Sequence, residues 1–330
     1  MNSSSLQPIH WQSMIPTTQQ QEINRQKIIK SLLIIGALSA LFCIINYKSI
    51  FSFLKTKLGI ILSIIISLLI IYAHIEPFFY HFAYREISVS KHFQSFIAIQ
   101  ISDVHFQWPY PYISEKKLNK IVERINQIQP DFIFLTGDMI SRWRTHSISQ
   151  YNTDTISRIF SKLKAKRQKI AILGNNDICA KSLFISAIKR AGFTLLIDST
   201  INDSNISITG LSTCHNFAKT QKHLSKINIS KNEDDILRIL LVHEPDVADI
   251  AHPYFDLQLS GHTHGGQCVI PFGIGPIFTP RMGRKYPIGL YQIKNMLLYV
   301  SVGLGISPLP KPLVRFNNIA EIAVLHIVPK

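Results

Sequence analysis

Residues 96–105 read FIAIQISDVH, an apolar run that ends in Asp103 and His105. A short apolar run of this kind is typical of a buried β-strand. A strand that stops abruptly at its carboxyl end projects the following side chains into a crevice. Because side chains alternate along extended backbone, Asp103 and His105 lie on the same side of the chain. This stretch therefore predicts an α/β domain with a polar site at the ends of its strands.

Further stretches repeat this arrangement of an apolar run followed by a polar group. Gly137, Gly174 and Gly261 stand at three of the strand ends, where glycine lets the backbone turn sharply. The polar groups that follow are Asp138, Asn175, His243, His262 and His264. Together with the first stretch they supply two carboxylates, one amide and four imidazoles. This set is large enough for two divalent cations that share one carboxylate.

The chemistry of these ligands indicates which ions they bind. Carboxylate, amide oxygen and imidazole suit Mn²⁺, Fe or Zn²⁺ better than ions that prefer thiolate. Two such cations about 3.5–4 Å apart can hold a water between them and clamp a phosphoryl group for in-line attack. A single His or Asp in a loop would carry little weight. The prediction of a metal-dependent hydrolase depends on five such motifs, all at predicted strand ends.

Residues 88–330 are predicted to form the catalytic domain. Apolar residues from Ile113 to Ile128 follow helical spacing, and Pro130 ends that helix. Other predicted strands are Phe132–Leu135, Ile170–Leu173, Leu240–Val242, Leu257–Leu259, Leu297–Val300 and Ile322–Leu325. Strands first alternate with helices and then dominate. This order predicts two sheets packed face to face and flanked by helices.

The N-terminal part of the chain differs sharply in composition. Residues 1–24 are rich in Ser, Thr and Gln and are predicted to be a disordered tail. Residues 25–85 contain two uncharged apolar runs, Ser31–Tyr47 and Leu58–Ala73. Each run is slightly shorter than the roughly 20 residues that cross a bilayer core. We expect a membrane anchor of one or two apolar helices here, because neither run has the polar face of a buried core helix and no cleavage site of a signal peptide follows cleanly.

The orientation of this anchor follows from its flanking charges. Arg25, Lys27 and Lys30 precede the first run and predict a cytoplasmic N-terminus. A helical hairpin would return the catalytic domain to the cytoplasm. The three lysines between the runs would then face outward, against the positive-inside tendency. One span plus one interfacial segment therefore stays open as an alternative.

The charge balance limits the classes of partner. The chain carries 35 Lys and Arg against 20 Asp and Glu, a net charge of +15, which favours phosphorylated substrates and acidic lipid. It has no basic stripe interleaved with aromatic residues, so nucleic-acid binding ranks last. Four cysteines without a CxxC spacing do not indicate a disulfide framework. No obligate protein partner is implied.

The order D-x-H, GD, GN-x-D, His and GHTH resembles that of the calcineurin-like metallophosphoesterase family over Phe96–Val328. The resemblance implies a four-layer α/β/β/α sandwich with two metal ions, Mn²⁺ first and Fe or Zn²⁺ as alternatives. It implies that Asp138 bridges the two ions. It also implies two ligand sets: Asp103, His105, Asp138 and His264 for one ion, and Asp138, Asn175, His243 and His262 for the other.

After the GHTH sequence come the motifs RMGR (Arg281–Arg284), GLY (Gly289–Tyr291) and GLG (Gly303–Gly305). They resemble those of the membrane-associated branch of this family, which includes chlamydial UDP-2,3-diacylglucosamine pyrophosphatases. This resemblance implies cleavage of UDP-2,3-diacylglucosamine to UMP and 2,3-diacylglucosamine 1-phosphate in lipid A biosynthesis. We expect a bacterial inner membrane, with the catalytic domain on the cytoplasmic face. The residues predicted to contact the distal phosphate or the uridine are Arg281, Arg284, Lys285 and Arg315.

One position departs from the family pattern. Asn176 stands where the family has a His that contacts phosphate and protonates the leaving group. Asparagine can bind a phosphoryl oxygen but cannot supply a proton. A phosphate leaving group has a pKa near 6 and needs little help, whereas an alkoxide does, so we expect cleavage of an anhydride. Asp177 is expected to orient Asn176 or a metal ligand, and His215 or His223 is the alternative source of the proton.

Two other functions stay open. One is a broad-specificity membrane-bound phosphodiesterase that acts on cyclic nucleotides or envelope phospholipids. The other is a catalytically weak metal-binding membrane protein, for which Asn176 is the only support in the sequence.

Overall fold

The computed structural model describes most of the chain from residue 55 onward. The described residues are 52, 55–106, 112–141, 146–212, 217–224, 236–271, 275–307 and 314–330. The predicted tail (1–24) and the first predicted apolar run (Ser31–Tyr47) lie outside these residues. The chain divides into two compact units, Met1–Ile75 and Glu76–Lys330.

Helix α1 (Lys57–Ile75) is the second predicted apolar run. Within the described residues, the window Lys57–Phe78 is the one helical stretch long and apolar enough to cross a membrane, with 22 residues and a mean hydropathy of 2.6. Side chains along its whole length are exposed, among them Leu58, Leu68 and Ile70. The length and composition of α1 therefore fit the predicted anchor.

The second unit contains two six-stranded sheets. Sheet 1 has the order β1-β14-β2-β3-β4-β5, and sheet 2 has the order β12-β13-β9-β8-β7-β6. The strands of sheet 1 are β1 (Tyr80–Val89), β2 (Phe96–Ile101), β3 (Phe132–Leu135), β4 (Gln168–Ala171), β5 (Thr194–Leu195) and β14 (Ala320–Pro329). Those of sheet 2 are β6 (Ser199–Asp203), β7 (Ile206–Gly210), β8 (Leu237–Leu241), β9 (Leu257–Ser260), β12 (Gly289–Ile293) and β13 (Met296–Val300). A separate ribbon pairs β10 (Val269–Ile270) with β11 (Gly275–Pro276).

Sheet 1 begins earlier than predicted. Strand β1 pairs in parallel with β14, with Tyr80 opposite Ala320, inside the range 25–85 assigned to the anchor. Its side chains alternate between exposed and buried, as expected for an edge strand with one face on the core. The compact unit accordingly starts at Glu76 instead of residue 88.

Helices cover the outer faces of both sheets. One apolar core lies between the sheets and contains Phe132 and Ile170 from sheet 1 and Ile239 and Leu257 from sheet 2. A second core joins sheet 1 to three helices, and a third joins sheet 2 to two others. The helices are α2 (Glu115–Ile128), α3 (His146–Phe160), α4 (Lys181–Arg190), α5 (Phe217–Leu224) and α6 (Ala248–Ala251). This mixed α/β architecture of two stacked sheets agrees with the prediction from the sequence.

Helix α2 illustrates how local sequence sets these elements. Leu118, Ile121 and Ile125 recur at helical spacing and are fully buried against sheet 1. The Ser114 side chain accepts the N–H of Lys117 at 3.1 Å and caps the first turn. The helix ends at a left-handed residue directly before Pro130, as predicted.

Candidate metal centre

The ends of five strands bring the predicted ligands to one place. Strands β2, β3 and β4 are parallel neighbours in sheet 1, and β8 and β9 are parallel neighbours in sheet 2. Because the carboxyl ends of parallel strands share one edge, the loops after them meet in a crevice. A hydrogen bond from Gln100 Nε2 to Ser260 O at 3.0 Å joins the two sheets beside this crevice.

Five ligand side chains converge within hydrogen-bond or ion-pair range. Asp103 Oδ1 lies 3.3 Å from His264 Nε2, 3.8 Å from His243 Nε2 and 3.9 Å from His105 Nε2. Asp138 Oδ2 lies 3.3 Å from His243 Nε2 and 3.6 Å from His105 Nε2. All five are buried. These groups form two sets able to hold an ion: Asp103, His105 and His264, and Asp103, Asp138 and His243.

Asn175 and His262 complete the predicted ligands. The ring of His262 lies 5.0 Å from that of His243 at an interplanar angle of 70°, and its backbone N–H donates to Asp103 Oδ2 at 2.9 Å. Asn175 belongs to the loop after β4, directly before Asn176, which contacts Asp138. The structure places both Asp103 and Asp138 between the imidazoles, whereas the family pattern names Asp138 alone as the bridge.

The buried polar atoms of this centre fit metal ions. Among the described residues, Asp103 Oδ1, Asn175 Oδ1 and His243 Nε2 have no hydrogen-bond partner although they are buried. Leaving a buried polar atom unsatisfied costs about 1–3 kcal/mol. A divalent cation coordinated by these atoms would remove that cost. The residues present therefore suit the two-metal centre that the sequence predicts.

Neighbouring groups orient the ligands toward the centre. Asp103 Oδ2 accepts the Ser102 hydroxyl at 2.6 Å, so that only Oδ1 is left for an ion. His243 Nδ1 donates to the carbonyl oxygen of Thr136 at 2.7 Å, which directs Nε2 at the carboxylates. Neither partner belongs to a motif in the sequence. Ser102 directly precedes a ligand, but the Thr136 contact uses a backbone atom and has no signature in the sequence.

The backbone of the ligand loops is strained. Asp103, His105, Asp138, His262 and His264 all have positive φ, between 46° and 72°. Each non-glycine residue in this region costs on the order of 1–3 kcal/mol, and such residues cluster at functional sites. The strain persists because hydrogen bonds and packing fix the loops. No residue type in the sequence predicts it.

Asp177 clamps two of these loops. Its buried carboxylate accepts the backbone N–H groups of Asp138 at 2.8 Å, Gly174 at 2.9 Å and Met139 at 3.1 Å. Burial, and then the negative charge of Asp138, raise the pKa of Asp177 to about 8. Asp177 thus orients the backbone of the ligand Asp138, which is one of the two roles expected for it.

Opposite charges are balanced inside the centre. Burial raises the pKa of Asp103, and the charge of His243 opposes this. Burial also raises the pKa of Asp138, but the nearby charge of His243 holds it below the usual range. Burial disfavours the charged form of His243, yet Asp138 and Asp103 raise its pKa well above normal. The two carboxylates thus stabilise positive charge at this point, as a cation site requires.

Asn176 contacts the metal-binding carboxylate. Its backbone N–H donates to Asp138 Oδ1 at 2.8 Å, and its side-chain amide donates to Asp138 Oδ2. Its contact with a phosphoryl oxygen stays a prediction. His215, one alternative proton donor, lies outside the described residues, as does the side chain of His223.

Three of the four basic residues predicted to bind the substrate lie on one exposed loop. The loop containing Arg281, Arg284 and Lys285 packs against Thr263, since a Cβ at Gly283 would lie 2.7 Å from Thr263 Cγ2. It therefore borders the segment between the ligands His262 and His264. Lys285, in the same loop, pairs with a residue of helix α6.

Lys285 and Arg315 make contacts that differ from those predicted. Lys285 Nζ pairs with Asp249 at 2.6 Å. Arg315 is fully buried, and its guanidinium donates to the carbonyl oxygens of Gly305 at 2.6 Å, Val302 at 2.9 Å and Asn318 at 3.0 Å. A buried guanidinium held by backbone carbonyls is not accessible to a phosphate, so Arg315 instead supports the loop beside Asp103.

We expect Gly261→Ala to abolish metal binding. A Cβ at this position would overlap Ser102 Oγ and the Asp103 carboxylate, which must then leave the centre. Metal content after dialysis against Mn²⁺ measures the effect. Asp154→Ala is the control, because it removes only a half-exposed carboxylate that pairs with Arg190 at the surface. Full metal content in the Gly261 variant would contradict this account of the close approach.

Comparison with known proteins agrees with the fold and the site. Residues 98–266 match the calcineurin-like phosphoesterase family. With the buried dinuclear site, this match defines a metal-dependent phosphoester hydrolase. The chain belongs to the calcineurin-like phosphoesterase family, which confirms the resemblance found in the sequence. The finer resemblance to the pyrophosphatase branch stays a prediction.

Three relatives illustrate the range of similar proteins. The metallophosphoesterase YkuE of Bacillus subtilis is 35% identical over 71% of this chain and 80% of its own length. Phosphodiesterase YaeI of Escherichia coli is 28% identical over 54% of this chain and 64% of its own length. A transmembrane protein with a metallophosphoesterase domain from Danio rerio is 24% identical over 68% of this chain and 52% of its own length.

Proposed function

We propose that this chain is a membrane-anchored hydrolase that cleaves the pyrophosphate bond of a lipid-linked nucleotide diphosphate. UDP-2,3-diacylglucosamine is the expected substrate, with UMP and 2,3-diacylglucosamine 1-phosphate as the products. The observation that carries the proposal is Asn176, which binds the Asp138 carboxylate where the family has a proton-donating His. The apolar helix α1 and the net charge of +15 support an anionic lipid substrate.

The residues at the site have different proposed roles. Asp103, His105 and His264 would hold one ion, Asn175, His243 and His262 would hold the other, and Asp138 would be shared between the two. When bound, such ions lower the pKa of a water held between them and neutralise charge on the phosphoryl oxygens. Asp177 and Asn176 keep the Asp138 carboxylate in place. We propose Mn²⁺ as the metal, with Fe or Zn²⁺ as alternatives, because its oxygen and imidazole preferences match this set.

The kind of leaving group can be inferred from the side chains near the centre that could donate a proton to it. Among the described residues at the site, the four imidazoles are all predicted metal ligands, and Asn176 has no proton to give. The conjugate acid of an alkoxide leaving group has a pKa around 15–16, like that of water. Such a group therefore leaves readily only when an acid protonates it. A phosphate leaves with a pKa near 6. Cleavage of an anhydride therefore needs no acid from the protein.

A substrate panel tests this proposal. Full-length protein in detergent, loaded with Mn²⁺, is incubated with UDP-2,3-diacylglucosamine, a phosphodiester and an alkyl phosphomonoester. We expect UMP from the first and much slower turnover of the monoester. Asp103→Ala and His105→Ala proteins are the controls for contaminating hydrolases. Equal rates on the monoester and the nucleotide sugar would overturn the argument from the leaving group.

A broad-specificity phosphodiesterase is the second candidate. Its support is the similarity to phosphodiesterase YaeI of Escherichia coli. It predicts that the phosphodiester is hydrolysed at least as fast as the nucleotide sugar in the same panel. Complete inactivity of metal-loaded protein on every substrate would favour the third possibility, a metal-binding membrane protein with weak catalysis.

We further propose a bacterial inner membrane, with the catalytic domain on the cytoplasmic face. The support is the basic segment Arg25–Lys30, the apolar helix α1 and the Danio rerio relative named as a transmembrane protein. Protease added to right-side-out vesicles should leave the catalytic domain intact, and it should digest the domain once the vesicles are opened.

We expect Arg281→Ala combined with Arg284→Ala to raise the KM for the nucleotide sugar about tenfold or more. Each arginine is exposed on the loop that packs against Thr263, and a charge-assisted hydrogen bond to phosphate contributes about 1.5–3 kcal/mol. Steady-state kinetics measure the change. Lys189→Ala, an exposed lysine on α4, is the control for loss of positive charge. An unchanged KM would remove these arginines from the substrate site.

A further inference from the structure

A buried carboxylate lies at the start of the unit Glu76–Lys330, outside every motif that the sequence displays. Glu76 directly follows the end of the apolar helix α1 and is 1% exposed. Its Oε2 accepts the backbone N–H of Asn317 at 2.8 Å, and its Oε1 accepts that of Asn318 at 2.5 Å. A buried carboxylate is stable only when such partners replace water. Glu76 therefore fixes the position of the Asn317–Asn318 segment.

Asn318 passes this constraint to a metal ligand. Its side-chain Nδ2 donates to the backbone carbonyl oxygen of His264 at 2.7 Å. The contact leaves no space, since a Cβ at Gly265 would lie 2.9 Å from Asn318 Nδ2. His264 has a φ of 52°, which only such surroundings maintain. A shift of Asn318 would release this strained ligand.

Arg315 forms a second connection, to the other ligand loop. It donates to the carbonyl oxygens of Asn318 at 3.0 Å and of Gly305 at 2.6 Å. Gly305 in turn donates its N–H to the Asp103 carbonyl at 2.7 Å. Burial lowers the pKa of Arg315 to about 10, while the charges of Asp103 and Glu76 oppose this. One buried hydrogen-bond network thus connects Glu76, Arg315 and the backbone of Asp103.

We propose that Glu76 is a positioning residue that holds the ligands His264 and Asp103 in their metal-binding geometry through Asn318 and Arg315. The inference rests on the metal-dependent hydrolase described above, because it assigns Glu76 a role in that same centre. Both carboxylate oxygens of Glu76 accept backbone N–H groups, so Glu76 acts as a support for the ligand loops. Its effect reaches the metal through backbone atoms of the ligand loops, and this explains why no sequence motif marks it.

Mn²⁺ titration of chelator-treated, full-length protein in detergent tests the proposal. Removing a group that orients a metal ligand typically weakens metal affinity 10–100-fold. Glu76→Gln has the same shape but turns an N–H donor toward backbone N–H groups, so we expect at least a tenfold rise in the Mn²⁺ dissociation constant. Glu76→Asp keeps the charge and should recover part of the affinity. Glu86→Gln, an exposed carboxylate on β1, is the matched control.

Two readouts separate positioning from a merely structural role. Circular dichroism and the melting temperature of the metal-free protein report the fold, and calorimetry reports metal affinity. A lower melting temperature with Mn²⁺ affinity within twofold of wild type would overturn the proposal. The Mn²⁺ titration needs no substrate, so it decides the role of Glu76 even if the pyrophosphatase proposal fails.

Asn318→Ala covers the case in which Glu76→Gln does not fold. It removes the contact with the His264 carbonyl but keeps the backbone N–H groups that bind Glu76. In a folded protein we expect the same loss of Mn²⁺ affinity and a normal far-ultraviolet circular dichroism spectrum. A high concentration of Mn²⁺ should partly restore the activity. Wild-type affinity in folded Asn318→Ala protein would rule out the connection from Glu76 to His264.

Discussion

Replacing Asp138 by alanine is expected to eliminate one metal ion and to lower kcat/KM by roughly three powers of ten. Asp138 Oδ2 lies 3.3 Å from His243 Nε2 and 3.6 Å from His105 Nε2, between imidazoles of two sheets. Without this carboxylate the two metal positions lose the ligand that they are predicted to share. Metal ions contribute several kcal/mol of transition-state stabilisation, and about 4 kcal/mol corresponds to a factor of roughly a thousand.

Metal analysis and kinetics on the same preparations measure this effect. Wild-type protein should hold two Mn²⁺ per chain, and the Asp138 variant at most one. Asp154→Ala is the matched control, because Asp154 is a half-exposed carboxylate on α3 that pairs with Arg190 at the surface. Two tightly bound ions in Asp138→Ala protein would mean that Asp103 alone bridges them.

Replacing Asp177 by alanine is expected to give the largest loss of stability of any single change at the site. Its carboxylate is the acceptor for the N–H groups of Asp138, Gly174 and Met139, all buried. Each buried donor left without an acceptor costs about 1–3 kcal/mol. We therefore expect the free energy of unfolding to fall by at least about 3 kcal/mol. The Asp138 loop would also lose its fixed conformation, so metal affinity should fall with it.

Thermal unfolding in the presence of EDTA isolates this effect from metal binding. A loss of about 3 kcal/mol corresponds to a shift of roughly 6–12 °C for a domain of this size class. Asp177→Asn keeps one oxygen acceptor and should lie between wild type and alanine. Asp154→Ala should change the melting temperature little, because exposed ion pairs contribute about 0–1 kcal/mol. A melting temperature equal to wild type in Asp177→Ala protein would show that water replaces the carboxylate.

Much of the fold could be predicted because burial leaves a periodic pattern. The run Phe96–Ile101 is β2, and Leu118, Ile121 and Ile125 are the buried face of α2. The start of sheet 1 was predicted too late. Strand β1 belongs to the sheet through its pairing with β14, some 240 residues away in sequence, and no local pattern reports a partner at that distance.

The ligands were predictable for a different reason. Metal chemistry restricts them to a few residue types, and a strand end must come before each one, so Asp103, His105 and Asp138 are visible as short motifs. The supporting residues were not. Arg315 was expected at the substrate, but it is buried and donates to backbone carbonyls.

By itself the sequence determined the α/β class, the family and the candidate metal ligands that the fold brings together, because residue type and spacing carry that information. Tertiary structure alone decided the positive φ of the ligand loops, the clamp at Asp177 and the path from Glu76 to His264. The physical reason is that these contacts end on backbone N–H and C=O groups. Every residue other than proline carries both, so only the folded chain determines which of them meet.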